Sequence, residues 1–123
     1  MTSNRKRTPR IVHKLDHDGA PVVLVEMSNR PGRFATLDLH DWEEWSATRS
    51  ARLFLNDNGH GHYYVRATSD AVKGSLVSVA RELVSPGRGR IVGYRDENRF
   101  NLRRRNLFVQ WGYAKGQTLV AAA

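Results

Sequence analysis

Four arginines and three asparagines share nine consecutive residues of this 123-residue chain, Asn98-Arg99-Phe100-Asn101-Leu102-Arg103-Arg104-Arg105-Asn106. Guanidinium groups bind phosphate in bidentate fashion, stack on bases and read guanine through O6 and N7. So many like charges repel one another unless an anion lies opposite, and a duplex groove supplies that anion. The surrounding sequence predicts a strand from Arg90 to Tyr94, a loop, a helix from Asn101 to Leu107 and an extension from Phe108 to Trp111. Arg99 and Arg103, four apart, share a face of any helix that contains both. Asp96 and Glu97 are adjacent and diverge in regular structure, so they temper the nearby arginines. A second constellation is His60 and His62, whose spacing of two suits ligation from one strand face. They flank a turn and no carboxylate is placed to join them, so solvated histidines are expected and no metal site. Asn56-Asp57-Asn58-Gly59 lacks the spaced acids and distal Glu of a calcium loop and reads as a turn.

Charge supports the same emphasis. The chain carries 20 basic and 12 acidic residues, net +8, with a pI near 10.6. Sixteen of the basic residues are Arg, the side chain best suited to phosphate. Residues 1–14 hold Arg5, Lys6, Arg7, Arg10 and Lys14 with no acid, and residues 88–105 hold seven Arg against Asp96 and Glu97. Outside these two segments the chain is net −2. A concentrated charge of this kind is a binding footprint. The nucleic-acid candidates are Arg5, Lys6, Arg7, Arg10, Arg66, Arg95, Arg99, Arg103, Arg104, Arg105 and Lys115. Tyr63 and Tyr64 add rings able to stack on bases, with one of the pair expected to point into the core.

The elements that must position these groups are legible in part. Residues 1–19 are polar, basic and aperiodic, and read as a flexible arm; residues 20–113 read as one domain and 114–123 as a loose tail. Pro21–Glu26 and Phe34–Leu39 read as paired strands around the turn Asn29-Arg30-Pro31-Gly32. Asp38 is placed to cap a helix from Leu39 to Thr48, whose Leu39, Trp42 and Trp45 form an apolar face. Arg52–Leu55 and His62–Ala67 read as a hairpin, Ser75–Val79 as a short strand, and Ala80–Val84 as a helical turn stopped by Ser85-Pro86-Gly87. The fold class expected is α+β: a small antiparallel sheet with a short helix, followed by a strand-loop-helix unit. With no cysteine, disulfides, zinc knuckles and thiol catalysis are excluded. No apolar run approaches the length of a membrane span and no apolar segment follows the basic N-terminus, so a cytoplasmic location is expected.

The order of these pieces resembles the HNH homing-endonuclease-like family of phages and bacteria, many of whose members join an AP2-like three-stranded sheet to a ββα-metal nuclease core. The resemblance spans roughly residues 22–112. It rests on Phe34–Asp38 with Asp41-Trp42-Glu43-Glu44-Trp45, on His62-Tyr63-Tyr64-Val65-Arg66, on Val79-Ala80-Arg81-Glu82-Leu83, and on Gly93-Tyr94 with Asn101–Leu107. In that family a strand histidine is the general base, and a neighbouring acid with a polar residue on the helix holds one divalent metal. Here the resemblance places Gly93 at the acid and Tyr94 at the base, a phenol of pKa ~10 that is a poor base at neutral pH. It places Ala80 at an upstream histidine and Asn101 at the acid opening the helical phrase. Only Asn106 remains compatible with metal contact. The implied site is degenerate, with no catalytic residue, no metal and no cofactor.

The expected function is therefore that of a catalytically degenerate HNH-like protein, of phage or phage-derived type. It would dock on double-stranded DNA through an Arg-rich helix and a basic N-terminal arm, and would not act as an enzyme. The alternatives are an active metal-dependent endonuclease with non-standard residues, and an interaction protein that offers its arginines to an acidic protein partner. No membrane association is expected, and the oligomeric state is left open.

Overall fold

A computed structural model describes residues 8–57, 59 and 62–112. Arg5, Lys6, Arg7, His60, Lys115 and the expected tail fall outside the described residues. The class is α+β, as expected. Strands β1 (Ile11–Leu15), β2 (Pro21–Met27), β3 (Arg30–Asp38), β4 (Leu53–Asp57), β5 (Tyr63–Thr68) and β6 (Leu76–Ser78) form a mixed, mostly antiparallel sheet. Strands β7 (Arg90–Tyr94) and β8 (Leu107–Trp111) form a separate hairpin. The helices are α1 (Leu39–Thr48) and α2 (Val79–Val84). No helix among the described residues is long and apolar enough to cross a membrane.

The run Pro-Val-Val-Leu-Val-Glu-Met makes β2 the central strand, because a β-branched run without alternation suits a strand covered on both faces. Val23, Val25 and Met27 join Ala35 and Leu37 of β3, Trp42 and Trp45 of α1, and Leu53 of β4 in one core. Burial of each such large side chain contributes roughly 1.5–3 kcal/mol. Antiparallel pairing runs β1-β2-β3 and β4-β5-β6, and a single parallel bridge, Met27 to Leu53, joins the two triplets. Asn29 completes the joint. Its carboxamide accepts from the Leu55 amide (2.8 Å) and donates to the Leu55 carbonyl (2.9 Å), standing in for a strand neighbour. In the β2–β3 turn, the Gly32 amide donates to the buried Glu26 carboxylate (2.8 Å), in a left-handed conformation (φ 85°) that favours glycine.

Two expectations are corrected. Ile11–Leu15, assigned to the flexible arm, form strand β1 antiparallel to β2, closed by a turn in which the Gly19 amide donates to the Asp16 carbonyl (2.8 Å). All five residues of β1 are exposed, so the strand carries no inside-outside alternation for a sequence reading to detect. The helix expected over Asn101–Leu107 is also absent, and a single 3₁₀ turn, Arg104–Asn106, stands in its place. Leu102 is fully buried, its amide donates to the Thr36 carbonyl (2.8 Å), and the Thr36 amide donates to the Phe100 carbonyl (2.8 Å). This extended bridge covers the outer edge of β3 and holds residues 100–102 out of helical geometry. The C-terminal unit is thus a hairpin with a long structured loop, and the strand-loop-helix order expected there is not found among the described residues.

A candidate nucleic-acid interface

The arginine triplet does not form an open cationic face. Arg103 is 5% exposed. It donates from Nε to Asp38 (2.8 Å), from Nη1 to Asp16 (2.6 Å) and from Nη2 to Asp18 (3.0 Å). Three carboxylates from the β1–β2 turn and the end of β3 therefore converge on one guanidinium. They hold its pKa above the ordinary arginine value, through the Asp18 hydrogen bond first, against the opposing effect of burial. The same contacts hold the Asp18 carboxyl well below the usual carboxylate range, and Asp16 is lowered too, chiefly by the His17 amide. Arg104 donates from Nε to the buried Asp41 (2.9 Å), and Arg105 pairs with Asp18. Asp38 stands at the N-cap of α1 without capping it; its carboxylate accepts from Arg103 and from the Arg104 amide (3.1 Å). Arg10 is held similarly, pairing with Glu26 and lying over the Phe34 ring.

The positions expected to form a degenerate catalytic site do not converge. Ala80 is 1% exposed inside the core, on α2. Gly93 is covered by Phe108, its partner on β8. Asn106 is buried and binds its own loop: its carboxamide accepts from the Asp96 amide (3.0 Å) and donates to the Asn101 carbonyl (2.9 Å). Asn101 donates to Asp96 (2.9 Å). Asn101 and Asn106 line a depression beside Asp16 and Arg95, whereas Tyr94 lines a different cavity. Burial pushes the Tyr94 phenol up, against the pull of Arg99, so still less of it is ionised at neutral pH to take up a proton.

The cavity at Tyr94 is the more informative place. It lies between β5 and β7, holds about 330 Å³, and is lined by Tyr64, Arg66, Ser78, Arg81, Ile91, Val92, Tyr94 and Arg99. No carboxylate lines it. Alternation along β5 sends Val65 and Ala67 into the core and leaves Tyr64 and Arg66 to the cleft; Tyr63 is exposed, so neither tyrosine of that pair enters the core. Arg66 Nε is buried without a hydrogen-bond partner, a state that costs about 1–3 kcal/mol for a polar group. The Arg99 guanidinium lies 4.9 Å from the Tyr64 ring centre and 5.5 Å from that of Tyr94, with Nη2 3.3 Å from His62 Nδ1. Arg81 is fixed at the rim, donating to the carbonyls of Arg90 (2.6 Å) and Gly87 (3.3 Å). Arg90 lies over the Trp111 ring at 4.1 Å, and Arg95 over Phe108 at 5.3 Å.

Of the arginines expected to bind nucleic acid, the structure thus brings Arg66 and Arg99 together. It adds Arg81 and Arg90, which the sequence reading did not select, and withdraws Arg103 and Arg104 into acid pairs. The period-two pattern of β5 was the available signal for Tyr64 and Arg66; nothing local marks Arg81. Among the described residues the grouping closest to metal-ligand geometry is His40, Asp41 and Glu44 on α1, where Asp41 is already bound by Arg104. Comparison of the chain with protein-family models, curated proteins and solved structures found no match.

Proposed function

We propose that this is a nucleic-acid-binding protein that holds DNA against the arginine-lined cleft and its rim and does not cut it. One observation carries the reading. Among the described residues Arg10, Arg49, Arg103, Arg104 and Arg105 each have a carboxylate partner, while Arg66, Arg81, Arg90 and Arg99 have none, as is also true of Arg30, Arg33, Arg52, Arg88 and Arg95. What sets Arg66, Arg81, Arg90 and Arg99 apart is that they gather at one place. Arg66, Arg81 and Arg99 line one cavity, Arg90 adjoins it, and tyrosine rings lie between them. Phosphate binding by such a group releases counterions and depends steeply on salt. The nuclease resemblance adds no support to this reading: its strand-loop-helix order is not found among the described residues, Gly93 offers no ligand atom, and Tyr94 is an acid too weak to lose its proton at neutral pH. The duplex grip through an Arg-rich helix is replaced in this reading by a grip through the β5–β7 face, with the basic run Arg5-Lys6-Arg7 and Lys115 as additional contacts.

The test is a pair of assays on one preparation. Fluorescence anisotropy with labelled DNA across a salt series should show affinity falling linearly on a logarithmic scale. Plasmid incubated with magnesium or manganese should stay supercoiled. Salt-independent binding, or no binding, defeats the DNA reading, and nicking that is lost in His62→Ala assigns the protein to the active nucleases instead.

A further inference from the structure

We propose that the cleft between β5 and β7 receives one unpaired nucleotide of a DNA strand, its phosphate among Arg66, Arg81 and Arg99 and its base against the tyrosine-held Arg99 plane. This rests on the nucleic-acid reading and goes beyond it. A paired duplex offers phosphates and base edges to a protein, but its base faces are hidden in the stack. A concave cavity of about 330 Å³ gains little from such a surface. Its size falls within the roughly 300–1,000 Å³ of small-ligand sites, enough to enclose one extruded nucleotide.

The lining matches that ligand at both ends. Arg66, Arg81 and Arg99 with the hydroxyl of Ser78 form a wall able to donate to an anion, without a carboxylate to compete. Arg66, one of the lining residues, has its Nε buried without a hydrogen-bond partner. Ile91 and Val92 add apolar lining. In the same cavity the Arg99 guanidinium is held by two tyrosine rings and by His62, so a flat cation is in position before any base arrives. Unpaired bases stack on aromatic rings and on arginine planes, whatever their sequence.

The experiment compares three labelled probes of one sequence by anisotropy: single-stranded, fully paired, and paired around an unpaired bubble. The single-stranded and bubble probes should bind about tenfold tighter than the paired one, the worth of one stacked base. Tyr64→Ala should bring all three probes together, and Tyr64→Phe, which keeps the ring, should retain the preference; melting curves confirm that both variants fold. Equal binding of the three probes by the unaltered protein overturns the cleft assignment and leaves duplex binding standing. No binding to any probe overturns both. A mononucleotide 5′-phosphate that binds the protein when no strand does would reassign the cleft to free nucleotides, against the proposal.

Discussion

The Phe108 ring lies across Gly93, so close that a Cβ at position 93 would sit 2.4 Å from Phe108 Cζ. The two residues are register partners on β7 and β8, and Arg95 lies over the same ring. The position that a nuclease resemblance assigns to a metal-binding acid is therefore filled from across the hairpin. The missing carboxylate and the aromatic neighbour are one structural fact.

From this contact we expect Gly93→Ala to displace the Phe108 ring at a cost on the order of 1–2 kcal/mol. Phe108→Ala should relieve it. A double-mutant cycle by urea denaturation measures the coupling, and strictly additive costs would show that the ring does not block the position.

Arg103→Ala should destabilise the protein, not merely weaken its hold on DNA. The change leaves Asp16, Asp18 and Asp38 without their common cation, and leaves Arg105 with Asp18 as the remaining ion pair between the β1–β2 turn and the loop before β8 among the described residues. We expect Tm to fall by about 10 °C. A normally stable variant with lost DNA affinity would instead place Arg103 at the DNA.

The acid side of the stability profile follows from carboxylates held below their ordinary range. Glu26, pulled down to about 2 by the Gly32 amide, then the Arg10 amide and side chain, is joined by Asp16, Asp18 and Asp96. Each binds a proton more readily in the unfolded chain, so its stabilisation is present above the unfolded value and lost as pH falls towards the folded one. Tm should be flat from neutral pH to about 5, then drop between about 4.5 and 2. Glu26→Gln should shrink that drop; a Tm that rises on acidification would contradict the assignment.

At the cleft, Arg99→Ala should weaken DNA binding more than Arg105→Ala does, because Asp18 already engages Arg105. Loss of one phosphate contact lowers the salt slope by about 0.9 for duplex DNA and about 0.7 for a single strand. A slope unchanged by Arg99→Ala would mean that its charge meets no phosphate.

Much of the architecture was legible from local pattern. The helix bounds Leu39–Thr48 and the strand bounds Arg90–Tyr94 emerged as expected, because a capping position, an apolar triad and a β-branched run are local signals. Pairing of β2 with β3 and of β4 with β5 followed from turn chemistry. Where local and long-range effects competed, the reading failed. Asn101–Leu107 has adequate helix propensity, but Leu102 is drawn into the core and Arg103 towards acids more than sixty residues away in the chain. β1 is a strand through its pairing with β2 and not through any pattern of its own.

The sequence alone established the α+β class, the absence of thiol chemistry and a large excess of arginine. Those properties are sums over residue types, or periodicities within one element. Which arginines remain available was decided only by the tertiary structure. Ion pairs form between whichever groups the topology brings within a few ångströms, and a linear count of charges carries no information about that meeting. Folding set Asp16, Asp18 and Asp38 against Arg103 and left Arg66 and Arg99 facing a cleft without an acid.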